Sequence, residues 1–371
     1  MAHIQVLPDG RSKVVFEVYS HSRKRKRGSK VFPKNTSKAN IKRFMAEKER
    51  EYFLQSNASS SHILLKEFVP IYLEISDKWH SPSTQASDRS LLYNKKHGIV
   101  TSLGECRLEN IKMKTLQLYI DEMEGEGVSS KTKLNYLMLV SAMLEMAKKL
   151  EYIDFIKNPA KDVIVKKTKP KEIVPYTIQE ARYILQEVNK CEDENTKLII
   201  ELALLCGLRR SEIAGIQMKD IDFDTGTINI SHARVAAGDK DYEKEPKSYS
   251  GYRKIYVMDE LMSLLKQQRN KKRFNDSAYL LTDNKMNPVR VWQISDKYRT
   301  FMKSLNIEYK SLHVLRHTYG SILASEGIGA KDLQYLLGHA SIVTSYDVYI
   351  GSYEENRRKA TEKLQKSLFV S

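Results

Sequence analysis

Three short segments of this chain carry arginine, histidine and tyrosine at spacings suited to work on a phosphodiester. Gly207-Leu208-Arg209-Arg210-Ser211-Glu212 comes first and His313-Val314-Leu315-Arg316-His317-Thr318 second; a Leu-Leu-Gly-His run ends at His339, with Tyr349 ten residues beyond it. A guanidinium fork matches the paired oxygens of a phosphate, an imidazole moves protons near neutral pH, and a tyrosine oxygen can attack phosphorus and hold it covalently. None of these tasks requires a metal or an organic cofactor, and neither is expected. Glu212 follows Arg209 by three residues, near enough to orient its guanidinium, and His313 and Arg316 have the same spacing on a helix expected to be capped by Ser311. Singly, each motif is weak. Arg-x-x-Glu is a common surface pair, His317 and His339 would fit as satisfied structural histidines, and Tyr349, like Tyr346, would serve as a core aromatic. Their order and number carry the weight.

The scaffold expected around them is mainly α with small antiparallel β-sheets, an α+β class, in a multidomain chain. A catalytic region over 174–371 opens with a capping box from Thr177 to Glu180, and continues into a nearly all-apolar helix, Leu198 to Leu205, that must be buried and that Gly207 ends. Thr227-Ile228-Asn229-Ile230 and Arg253 to Val257 alternate like strands of a small sheet, and helices resume at Asp259. Residues 1–58 read as a β-sheet plus helix module: Ile4 and Val6, a turn at Pro8-Asp9-Gly10, then Val14, Phe16 and Val18, followed from Ser37 by Ile41, Phe44, Met45 and Tyr52 at helical spacing. Ser56 to Ser61 form a polar linker, and 62–165 read as a helical domain. Its clearest helix begins after Ser130, with Leu134, Leu137, Val140, Met143, Leu144 and Ala147 on one broad face, and ends before Asn158-Pro159.

The 371 residues carry 62 Lys and Arg against 46 Asp and Glu, a net charge of +16, which favours a polyanionic partner because neutralised phosphates release counterions. Residues 1–60 hold 14 basic and five acidic side chains, so more than half of the excess lies in the first sixth of the chain. Within it, Arg23-Lys24-Arg25-Lys26-Arg27 reads either as a solvated loop or as a nucleic-acid contact, and its place on a basic module favours contact. Lys166, Lys167 and Lys169 lie in an extended, Pro-containing stretch that suits either a plain linker or one lying along a phosphate backbone. Cys106, Cys191 and Cys206 are few and widely spaced, which points to reduced thiols in a cytosol. The most apolar stretch, Leu198 to Leu208, contains Glu201 and falls short of the ~18 residues a membrane span needs.

In order and spacing these segments resemble the tyrosine recombinase, or phage-type integrase, family. Its fingerprint is a Gly-Leu-Arg-x-x-Glu box, a His-x-x-Arg box, a Leu-Gly-His box and a nucleophilic tyrosine nine or ten residues beyond. The resemblance implies Tyr349 as nucleophile in preference to Tyr346 or Tyr353, Arg209 and Arg316 as phosphate ligands, His313 as base and His339 as an assisting group. It also implies a hairpin lysine, best matched by Lys247, with Lys244 and Lys254 as rivals. Cys206 stands where the family often has Thr, and Val314 where it often has Asp. Residues 1–58 would be an arm-site-binding domain and 62–165 a core-site-binding domain on double-stranded DNA. The enzyme would act as a homotetramer, with an excisionase and a DNA-bending host factor as accessory partners, in the cytoplasm at the nucleoid. The apolar Leu364, Leu368, Phe369 and Val370 would dock on a neighbouring protomer or on their own domain. Strand exchange conserves the phosphoester, so no ATP is implied, and no G-x-x-x-x-G-K-[ST] motif is present. A type IB topoisomerase-like enzyme and a non-catalytic DNA-binding relative are the alternatives.

Overall fold

The structure, a computed structural model, describes residues 3–19, 25–45, 48, 63–167, 173–246, 251–272, 275–341 and 365. By its contacts the chain divides into two compact units, Met1–Lys169 and Pro170–Ser371. Architecture throughout is mainly helical with small antiparallel sheets.

In the first unit, apolar alternation near the N-terminus produces an antiparallel sheet of β1 (His3–Val6), β2 (Ser12–Tyr19) and β3 (Arg25–Phe32), in that order. Gly10 makes the β1–β2 turn possible with a φ of +78°, where L side chains are strained. The sheet exceeds the expected hairpin by one strand. Arg25 and Lys26 open β3 and Arg27 is exposed on it. The helical residues 38–45 pack against this sheet: Ile41 and Val14 are buried, and the Phe44 ring meets Phe16 and Phe32 edge-on at centroid distances of 5.6 and 5.3 Å. Phe16 lies over Gly28, its register partner, where a Cβ would come within 2.7 Å of the ring. Arg23, Lys24, Tyr52 and the Ser56–Ser61 linker lie outside the described residues.

The helical part of this unit contains α1 (Leu65–Ser76), α2 (Pro82–Tyr93), α3 (Ile99–Leu103), α4 (Met113–Gly125) and α5 (Ser130–Lys149). Its core includes Phe68, Tyr72, Leu92, Ile120, Val140 and Met143. The Ser129 hydroxyl caps α5 by accepting from the Thr132 amide at 3.2 Å. One expected core position is wrong: Leu134 is 47% exposed, while Lys133, one residue earlier, is buried. The buried stripe of α5 runs through 133, 136, 137, 140, 143, 144 and 147, which puts Leu134 beyond its edge. The ammonium of Lys133 is tolerated there because it donates a hydrogen bond to the Glu124 carboxylate at 2.8 Å. After α5 the chain reaches Lys166 and Lys167 exposed and without regular structure; Lys169 lies outside the described residues.

The second unit is built around a central helix. α6 (Ile178–Asn189) starts at the expected box, with the Glu180 amide donating to the Thr177 hydroxyl and the Thr177 amide to the Glu180 carboxylate. α7 (Glu194–Leu205) is buried on nearly every side, with Leu198, Ile199, Ile200, Leu202 and Ala203 fully inaccessible. α8 (Arg210–Gly215) follows at once. The chain then forms β4 (Ile221–Asp222), β5 (Thr227–Ile230), the hairpin β6 (Ala233–Ala237) and β7 (Lys240–Lys244), and β8 (Arg253–Tyr256). β4, β5 and β8 make one antiparallel sheet, and β6 and β7 pair separately. α9 (Asp259–Lys271), α10 (Val291–Ser304), α11 (Leu312–Ser325) and α12 (Ala330–Leu337) complete the described unit. α6, α10 and α11 pack on α7. Among the described residues no helix is long and apolar enough to cross a membrane.

Candidate active site

Gly207 joins α7 to α8 in the left-handed region, at a φ of +63°, and its missing Cβ leaves room for the Tyr319 ring, whose Cδ1 would otherwise lie 2.4 Å away. That sharp turn brings Arg209 to the start of α8. The Arg209 amide donates to Glu212 Oε2 at 2.8 Å, and Nη1 of its guanidinium donates to Oε1 at 2.6 Å. The carboxylate expected to orient this arginine does so from within the core, being 7% exposed.

α11 supplies the second segment. Its N-cap position is Ser311, as expected, but the serine side chain makes no capping bond. The helix is instead anchored on its flank, where the Thr318 hydroxyl accepts from the Tyr176 amide at 2.9 Å. Arg316 points inward: its Nη1 donates to Gly207 O at 2.7 Å and lies 3.7 Å from Glu212 Oε2, and its Nη2 donates to Leu337 O. His313 opens toward solvent one turn earlier, with its ring edge-on to His317 at 4.7 Å.

The third segment ends α12. Gly338 takes the left-handed C-cap conformation at φ +60°, and the His339 amide donates to Gln334 O at 3.1 Å, which fixes the half-buried imidazole next to the helix end. The last carbonyls of a helix have no partners within it. Here three successive ones are taken by guanidiniums: Leu336 O by Arg253 at 2.9 Å, Leu337 O by Arg316, and Gly338 O by Arg209 at 2.8 Å. Positive charge at the negative end of the helix dipole strengthens the arrangement.

Arg253 is the residue that the motifs did not single out. It starts β8 with a side chain that is 0% exposed, and its two terminal nitrogens donate to the two Glu212 oxygens at 3.1 and 2.8 Å. The sequence did contain a signal, because Arg253 alternates in phase with the buried Ile255, and an inward-facing arginine must find an anion. A second arginine, Arg234 on β6, ties the two strands of the β6–β7 hairpin by donating to Asp241 Oδ2 at 3.0 Å and holds the hairpin to the body by donating to Ala214 O at 3.2 Å. Arg290 donates to the same Asp241 oxygen at 3.1 Å.

Electrostatics follow from this packing. Burial pushes the Glu212 carboxyl up, but Arg253 first, and then Arg209 and Arg316, outweigh it and hold it at about 2. The protein mass around His313 disfavours its charged form, and His317, Arg316 and Arg209 add to the effect, leaving it at about 4 even though part of its surface is open. His339 is lowered to about 3, by burial first and then by Arg316 and Arg209. Both imidazoles are therefore neutral near pH 7 and able to accept a proton, and an anionic phosphate placed among them would raise both. Four of the expected groups, Arg209, His313, Arg316 and His339, thus meet in one region. Tyr349 and Lys247 lie outside the described residues, as do Tyr346, Tyr353 and the tail residues Leu364, Leu368, Phe369 and Val370; the rivals Lys244 and Lys254 stand on β7 and β8. Among the described residues no group of His, Cys, Asp and Glu side chains is arranged to hold a metal ion.

Paired guanidiniums beside neutral imidazoles are the kinds of group that phosphoryl transfer calls for. Residues 176–356 match the phage integrase family. The chain is 25% identical to a XerC-like tyrosine recombinase of Caldanaerobacter subterraneus subsp. tengcongensis, over 71% of this chain and 73% of the relative. It is 27% identical to the transposase from transposon Tn916 of Enterococcus faecalis, over 72% of this chain and 71% of the relative. Among solved structures, the Tn1549 transposon integrase in complex with transposon right end DNA has a TM-score of 0.63 at 23% identity, covering 81% of this chain and 99% of that one. A lambda integrase dimer bound to a COC′ core site has a TM-score of 0.59 at 16% identity, covering 93% and 94%. Residues 176–356 form a domain of the phage integrase family, and the chain is a tyrosine-type site-specific recombinase.

Proposed function

We propose that this recombinase integrates and excises a mobile element by cutting and rejoining double-stranded DNA through a 3′-phosphotyrosine at Tyr349. Attack by the phenol oxygen builds negative charge on the non-bridging oxygens of the scissile phosphate, and Arg209 and Arg316 hold that charge. A phenol of pKa ~10 needs a base at neutral pH, which is the role of His313, with His339 binding the phosphate. Lys247 protonates the departing 5′ oxygen. In the reverse step a 5′ hydroxyl from the partner duplex attacks the phosphotyrosine and frees Tyr349, so the number of phosphoesters is unchanged.

Residues 1–58 form the arm-type DNA-binding domain, using the run Arg23 to Arg27; residues 62–165 form the core-site domain, with Lys166, Lys167 and Lys169 following the backbone; and 174–371 carry out catalysis. The active assembly is a homotetramer on paired DNA sites in the bacterial cytoplasm, aided by an excisionase and a DNA-bending host factor. The observation that carries the proposal is that Arg209 and Arg316, 107 residues apart, converge on Glu212 and on adjacent carbonyls beside His339. A nicked suicide duplex bearing the element's end tests it: a covalent adduct with recombinant product is expected. Adduct with relaxation alone would indicate a topoisomerase, and binding without adduct a non-catalytic relative.

A further inference from the structure

We infer that Arg253 is a positioning residue that sets the net charge of the phosphate cradle and the pose of the His339 turn without touching DNA. The inference rests on reading Arg209 and Arg316 as phosphate ligands.

Glu212 is one carboxylate shared by three guanidiniums: Arg209 at 2.6 Å, Arg316 at 3.7 Å, and Arg253 at 2.8 and 3.1 Å. Of the three, Arg253 makes the two-pronged contact and is fully enclosed, so it has no route to a substrate. It is the natural counterion of Glu212. With Arg253 present, three positive charges and one negative leave a surplus of two, matched to the two non-bridging oxygens that become charged in phosphoryl transfer. Without it the surplus falls to one, and Glu212 draws on the two arginines meant for the phosphate. The second effect is geometric. Arg253 Nε takes Leu336 O, the first of the three carbonyls clamped ahead of His339, and the Lys254 amide donates to the Tyr335 hydroxyl at 3.3 Å, so β8 holds α12 in place. A lysine could supply the charge but not the fork together with the third bond.

The test uses the full chain, measuring single-turnover adduct formation on saturating nicked duplex, and DNA affinity separately. Arg253→Met should slow adduct formation on the order of 100-fold, the loss typical for a preorganised donor, while leaving affinity unchanged. Adding Glu212→Gln removes the charge that Arg253 neutralised, so the double variant should recover at least about tenfold of that loss, a non-additivity that a merely structural role does not give. A double variant as slow as Arg253→Met, an Arg253→Met enzyme as fast as wild type, or affinity falling in step with rate would overturn the inference. Should Arg253→Met fail to fold, the double variant decides alone, because its buried charges leave together: a rate within about tenfold of wild type supports the inference, and a loss on the order of 100-fold overturns it. Absence of adduct from the wild-type chain would instead sink the reading of the site, and the inference with it.

Discussion

Replacing Gly207 by alanine perturbs the hinge on which the site turns, and its effect can be worked from the backbone and one ring. At φ +63° an alanine carries the left-handed penalty of about 1–2 kcal/mol. Its Cβ would stand 2.4 Å from Tyr319 Cδ1 and 2.7 Å from Cε1, an overlap relieved by moving the ring or the chain at about 1–3 kcal/mol. Together these give about 2–5 kcal/mol, which lowers the melting temperature of a domain of this size by roughly 4–20 °C. Gly207 O also accepts from Arg316 at 2.7 Å, so a shifted carbonyl drags that guanidinium, and adduct formation should fall on the order of 100-fold. Thermal and denaturant unfolding of Gly207→Ala, Tyr319→Ala and the pair separate the two parts: the pair should be about 1–3 kcal/mol more stable than additivity predicts, because the overlap is gone. A Gly207→Ala protein as stable and as active as wild type, or strict additivity, would refute this account of the turn.

The depressed histidines make stability depend on acid. An unfolded imidazole takes up its proton near 6.5, whereas folded His313 waits until about 4 and His339 until about 3, so their contribution is intact above pH 6.5 and is lost as the pH falls through that window. Denaturant unfolding at several pH values should show this decline, and His313→Gln should flatten it; equal slopes in both proteins would contradict the burial argument. For DNA affinity, log Kd should rise steeply with log salt, and Lys166→Ala with Lys167→Ala should lower the slope by about one per residue; an unchanged slope would remove those lysines from the interface.

Much of this was legible because the deciding signals were local. The Thr177–Glu180 box, the apolar run of α7, the glycines that close α7 and α12, and the Arg209–Glu212 spacing all act over a few residues, and each is realised. What was hidden depends on partners distant in sequence. β3 was obscured because its basic opening reads as a loop until β2 pairs with it, and the β6–β7 hairpin relies on Arg234 and Asp241 meeting Ala214 and Arg290. Lys133 replaces Leu134 in the core because Glu124 happens to lie opposite it. Arg253 reaches Glu212 across 41 residues, and nothing near it in the chain announces that anion.

The central claim is that one tyrosine becomes esterified to DNA beside Arg209 and Arg316. Trapping the wild-type chain on a nicked duplex, digesting it and sequencing the nucleotide-bearing peptide by mass spectrometry tests this directly. The nucleotide is expected on Tyr349, and no adduct from Tyr349→Phe. A nucleotide on Tyr346, Tyr353 or any other residue, or an adduct that persists in Tyr349→Phe, would contradict it.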